Sequence, residues 1–154
     1  MFRLALLTAT AIVAGAVSHA HADPQLGSAT LPGARAGAVG DTLTVFGALA
    51  NAGDTTATSC APAVTGFSGS FAYRAVASDN QSFSAPQDTP VDIAAGQTQN
   101  FLLSFTAASP LEEEEVDLVF DCANAAPAPR IDGVNSVLIT AETVAGADIL
   151  PVIA

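Results

Sequence analysis

The sequence predicts an all-β protein, an antiparallel two-sheet sandwich of about seven strands braced by one disulfide. Three observations carry that expectation. Apolar and polar residues alternate along short segments separated by Gly, Pro, Asn and Asp. No segment after residue 22 has the three-to-four-residue apolar spacing of an amphipathic helix. Two cysteines, Cys60 and Cys122, each close an apolar-alternating run.

The chain opens with a segment that does not belong to that sandwich. Residues 1–22 read as a secretory signal peptide. Arg3 supplies the positive start, Leu4 to Val17 is apolar apart from Thr8 and Thr10, and Ala20-His21-Ala22 has the small-x-small cleavage pattern. The apolar run is shorter than the ~20 residues that span a bilayer. Cleavage before Asp23 would leave about 130 residues, enough for one domain with its own core. It would also remove His19 and His21, both histidines of the chain. The product is expected in the periplasm or outside the cell, with no membrane span of its own.

Residues 23–40 carry Pro24, Pro32 and four glycines and read as an extended lead-in, with an edge strand near 34–39. Asp41–Asn51 is the first clear strand, with Leu43, Val45 and Leu49 on one face. Gly47 falls on that same face, where glycine marks a bulge or a close backbone approach. Asn51 to Asp54 makes a turn. Thr55–Cys60 is a short β-prone run. In Gly69–Val76, Phe71, Tyr73 and Ala75 share a face, and Tyr73 reads as core, with Arg74 where the face meets solvent. Residues 77–90 read as a polar loop, and its Asn80-Gln81-Ser82 sequon as ordinary loop sequence. Val91-Asp92-Ile93 is a brief strand before a turn at Ala95-Gly96. Gln97–Ala107 alternates most cleanly, with Phe101, Leu103 and Phe105 inward and Leu102 outward. Pro110 opens a loop carrying Glu112–Glu115. Val116–Cys122 points Val116, Leu118, Phe120 and Cys122 inward, with Asp117 and Asp121 outward. A loop over 124–133 leads to a last strand, Val134–Thr143, and residues 144–154 read as a tail.

In an oxidising compartment the cysteine pair is most simply a Cys60–Cys122 disulfide, joining the two sheets or bracing one end of the sandwich. The redox alternative lacks a C-x-x-C spacing and any Lys or His to lower a thiol pKa.

Segments 44–60, 88–107, 119–129 and 133–141 hold the Asn51-x-Gly53 turn, the Val91-to-Gly96 turn and the surroundings of both cysteines in one order. In that arrangement the chain resembles an immunoglobulin-like domain of bacterial exported proteins, similar in outline to the CARDB cell-adhesion-related modules. The resemblance covers roughly residues 29–143. It implies an immunoglobulin-like sandwich over 23–143, working outside the cytoplasm, and it carries no catalytic residues.

Charge narrows the function classes. The formal net charge is -11, there is no Lys, and Arg35, Arg74 and Arg130 are the cations left after cleavage. Nucleic acid needs several cationic contacts, so it is excluded as a partner. Catalysis near neutrality wants a titrating base or an anion-stabilising cation, and the chain is poor in both. Two carboxylates can hydrolyse glycosides unaided, but there is no Trp and one Tyr to build a sugar platform. The leading expectation is therefore a non-catalytic structural or protein-interaction module that contacts another exported or cell-surface protein without a cofactor. The alternative is a Ca²⁺-dependent binding domain. Its ligands would be Glu112, Glu113, Glu114, Glu115 and Asp117, which otherwise read as a solvated acidic loop with no metal.

Overall fold

The computed structural model describes residues 23–144. The expected signal peptide, and the expected tail beyond Val144, lie outside the described residues. Those residues form nine strands and no helix: β1 Leu26–Leu31, β2 Ala34–Ala38, β3 Thr42–Asn51, β4 Ala57–Thr65, β5 Gly69–Val76, β6 Val91–Ile93, β7 Thr98–Ala107, β8 Leu111–Asp121 and β9 Ser136–Glu142. One sheet has the order β1-β3-β7-β5 and the other β2-β9-β8-β4-β6. The first matches the A-B-E-D sheet of an immunoglobulin-like sandwich, and β9-β8-β4 matches its G-F-C sheet. β6 extends the second sheet beyond β4, and β2 joins its other edge in a parallel pairing with β9.

The alternation read from the sequence sets the core. Val45, Leu49, Phe101, Leu103, Phe105, Val116 and Phe120 are all fully buried. The aromatic rings run as a chain through the interior: Phe71 on Phe105, Tyr73 on Phe101, and Phe101 on Phe120, with centroids 5.2, 5.9 and 6.3 Å apart. Gly47 makes a close approach between the sheets. A Cβ placed there would sit 2.7 Å from Cζ of Phe120, which comes from the opposite sheet.

Two buried asparagines close the ends. Nδ2 of Asn51 donates to the carbonyls of Thr55 (2.7 Å) and Ile93 (3.1 Å), and Oδ1 accepts from the Gly53 amide (3.1 Å). One side chain thus ties the turn after β3 to β6. Asn135 does the same before β9: Nδ2 donates to Pro129 O and Ser28 Oγ, and Oδ1 accepts from the Ile131 amide. Buried amides with their partners in place contribute modestly, but each partner left unpaired costs about 1–3 kcal/mol.

Three places depart from the sequence reading. The lead-in holds two strands, because Thr30 fastens β1 to the other sheet: its amide and hydroxyl both donate to Val134 O, and the hydroxyl also donates to Ser136 O. The chain then changes sheets at Leu31-Pro32, a cis peptide, and β2 begins. β4 continues past Cys60 to Thr65 through Pro62. Its pairing with β6 stops at Cys60, so the proline sits where that side of the strand is an open edge. The acidic run is not a loop. It is the first half of β8, paired with β9 across a register irregularity between Leu111 and Glu114, with Glu113 at φ 48°.

Candidate functional site

The cysteines form a disulfide, and both are buried. Ala61 pairs with Asp121, so Cys60 falls directly opposite Cys122 on the neighbouring strand. Their Cα atoms are 4.0 Å apart. The bond therefore braces one end of a single sheet. It does not join the two sheets, because the residues close alternating runs on adjacent strands rather than on facing ones. The surrounding backbone is fastened as well. Asn124 accepts from the Thr58 amide (2.8 Å) and donates to Thr56 O (2.9 Å), and Asp92 accepts from the Ser59 amide (2.8 Å). This is the chemistry of a structural staple.

β8 lays out the acidic residues along the five-stranded sheet. Glu112, Glu113, Glu115 and Asp121 are exposed, and Glu114 and Asp117 are half-buried. Arg130 fans across this strip, with one guanidinium nitrogen 2.8 Å from Asp117, 3.1 Å from Asp132 and 3.5 Å from Glu115. All four side chains are partly solvated, so each pair contributes at most about 1 kcal/mol. Of the five residues expected to serve a cation, two are thus drawn to an arginine. Among the described residues no three Asp, Glu, Cys or His side chains are arranged to hold a metal ion.

The outer face of the four-stranded sheet is built differently. Leu31 of β1 pairs with Phe46 of β3, Phe46 with Leu102 of β7, and Leu102 with Arg74 of β5. These side chains form one row across the sheet. Leu31 is 73% exposed and Phe46 57%. The row ends where the Arg74 guanidinium lies over the Phe83 ring, 4.5 Å from its centroid. Beside Phe46 lies an open hollow of about 250 Å³, floored by Ala29, Gly47 and Ala48 and bounded by Leu31 and Asn100.

The 77–90 loop supports the Arg74 end. Phe83 bridges to Val76. Asp88 clasps Tyr73 from both sides, its carboxylate accepting from the Tyr73 amide and its own amide donating to Tyr73 O. Burial, and then the nearby Asp88 charge, raise the Tyr73 phenol above its ordinary pKa of 10.0. Asp79 accepts from the amides of Gln81 and Ser82 and from the Ser82 hydroxyl. The Gln81 amide leads in holding its carboxyl below the usual 3.8. Asn80, in the sequon, accepts from Asn100 Nδ2 at 3.2 Å.

The structure keeps Tyr73 in the core, as the alternation predicts. The exposed row was only partly legible. Phase along 41–51 already puts Phe46 outward, but nothing in the sequence says that Leu31, Leu102 and Arg74 stand beside it.

No known family profile matches the sequence, and no curated protein matches it. Among solved structures, the chain is similar to part of a family 123 glycoside hydrolase from Clostridium perfringens, described for glycolipid glycan hydrolysis, at 7% identity and a TM-score of 0.50. That match covers 76% of this chain and 27% of the hydrolase. The likeness is one of fold, an all-β, two-sheet arrangement, over about a quarter of the hydrolase's length.

Proposed function

We propose that this chain is an exported, immunoglobulin-like module that acts by contact rather than catalysis, and that its acidic strand meets a basic surface on another exported or cell-surface protein. The observation that carries this reading is the strip on β8. Glu112, Glu113, Glu115 and Asp121 stand exposed along one strand of the five-stranded sheet, in a chain whose net charge is -11. Clustered like charges of this kind speed encounter with an oppositely charged partner and make the association sensitive to salt. The disulfide supports a site of action in the periplasm or outside the cell, where such bonds persist. The Ca²⁺ reading of the same carboxylates has less support, because Arg130 already neutralises part of the cluster.

Affinity capture from the exported fraction tests the proposal. Wild-type protein should retain a basic partner at low ionic strength and lose it at high. A Glu112→Gln, Glu113→Gln, Glu115→Gln variant should lose it at both. Turnover in a hydrolase screen, abolished by replacing a single Asp or Glu, would refute the non-catalytic reading.

A further inference from the structure

We propose that the outer face of the four-stranded sheet is a docking surface for a second copy of this chain, forming a two-fold dimer about Phe46. The argument begins with charge. The chain carries 15 acidic residues, yet none stands on the cross-strand rows of this face. Thr42 and Thr44 pair there with Thr106 and Ser104, and Ala48 pairs with Ala29 and Asn100. Arg74 is the one charged residue of these rows, and its guanidinium is stacked on Phe83. Two copies at -11 repel each other at any approach that brings their acidic strips together. Across these rows they would meet without juxtaposed carboxylates, Asp79 and Asp88 lying in the 77–90 loop at the flank.

Shape points to the same occupant. A two-fold interface uses one patch twice, so the patch must hold both a projection and its complement. Phe46 and Leu31 are the projections, at 57% and 73% exposure. The hollow of about 250 Å³ over Ala29 and Ala48 adjoins them both. With the axis beside Phe46, the ring of each copy enters the hollow of the other. The small side chains of Ala29 and Ala48 at the floor allow two sheets to approach to about 10 Å, the ordinary face-to-face spacing. Arg74 lies two strands from Phe46, roughly 10 Å away, so the two arginines fall on opposite flanks of the axis. The surface is also concentrated: Leu31, Phe46 and Phe83 are three of the six large apolar residues exposed among the described residues. Val134, a fourth, abuts β1 through its carbonyl bond to the Thr30 amide.

This inference is independent of the acidic strip, and salt separates the two. Added salt screens the repulsion between like-charged copies, so it should strengthen a dimer on this face several-fold while weakening contact with a basic partner. Sedimentation equilibrium of the oxidised exported chain should show a mass that doubles with concentration. Phe46→Asp and Ala48→Arg should each leave a folded monomer, checked by circular dichroism. Glu112→Gln with Glu115→Gln should leave the dimer intact. Hydrogen exchange of the wild type needs no variant, and amides near 29–31, 46–48 and 100–102 should become more protected as concentration rises. A single monomer mass up to millimolar concentration would overturn the proposal. So would a dimer that survives both face variants, one that salt dissociates, or a different protein seated on this face while the chain stays monomeric.

Discussion

Gly47 is a residue at which a one-carbon change should be felt by the centre of the core. An alanine Cβ there would lie 2.7 Å from Cζ and 3.1 Å from Cε1 of Phe120, and 3.1 Å from a methyl of Leu103. A Cβ does not tolerate the first of these distances, so something must move. The Phe120 ring has nowhere to go: it is fully buried and packed on Phe101, itself fully buried. Overpacking of a close-packed core costs about 1–3 kcal/mol. Against this, replacing glycine stiffens the unfolded chain and returns roughly 0.4–1 kcal/mol. The net expectation for Gly47→Ala is a loss of about 1–2 kcal/mol, or a fall in Tm of roughly 3–8 °C.

Thermal and urea melts followed by circular dichroism, with the disulfide intact, measure this directly. The decisive arm is the double mutant. Phe120→Leu alone should destabilise, because it empties part of the core. In the Gly47→Ala background it should cost less, because it makes the space the new methyl needs, and the difference is a coupling energy. In an unobstructed strand, alanine for glycine stabilises. A neutral or stabilising Gly47→Ala, or strictly additive effects, would mean that the Phe120 ring does not rest on Gly47.

Four further outcomes follow from the same structure. Phe105→Ala should lower stability by about 3–5 kcal/mol, and Leu102→Ser by far less, since the two side chains lie on opposite faces of β7; comparable losses in urea melts would place the register one residue off. Asn51→Ala should cost about 1–3 kcal/mol by stranding the carbonyls of Thr55 and Ile93, read as accelerated hydrogen exchange around 51–55 and 91–97. Asp79 has a depressed folded pKa, so its hold on the Gln81 and Ser82 amides is complete above pH 3.8 and is lost as pH falls through the lower folded value; NMR shifts of those two amides should titrate with a midpoint below 3.8. A melt in Ca²⁺ should coincide with one in EDTA, because Arg130 already engages Asp117 and Glu115; a rise in Tm with Ca²⁺ would revive the cation reading.

The parts of the fold that were legible in the sequence are those decided by period-two burial. Phe101, Leu103 and Phe105 could be placed inward because the polar residues Asn100 and Ser104 fall on the opposite phase of the strand. β1 was hidden for the opposite reason. Its sequence, Leu26-Gly27-Ser28-Ala29-Thr30-Leu31, has little contrast between faces, and its fastening comes from distant groups at Val134, Asn135 and Ser136. The acidic stretch of β8 misled because consecutive glutamates repel and have weak strand propensity. Pairing with β9 overrides that preference, and the irregularity at Glu113 aims the carboxylates into water. The disulfide could be expected from two cysteines in an exported chain. Its placement within one sheet depended on knowing that β4 and β8 are neighbours.

The candidate surfaces lie one step further from the sequence than the core does. Alternation says whether a residue points inward or outward, but not which outward residues share a face. Phe46, Leu102 and Arg74 come from three strands, and Leu31 comes from a fourth that the sequence left unassigned. Each of them alone is an unremarkable outward-facing position, since scattered surface apolars are normal. They become a surface only through the pairings Leu31–Phe46, Phe46–Leu102 and Leu102–Arg74. The same pairings keep the acidic residues of β8 on the other sheet. Strand order therefore does what composition cannot. It sorts one acidic chain into a sheet with a carboxylate-bearing strand and a sheet whose outer rows carry none, and the opposite salt responses proposed for the two surfaces rest on that difference.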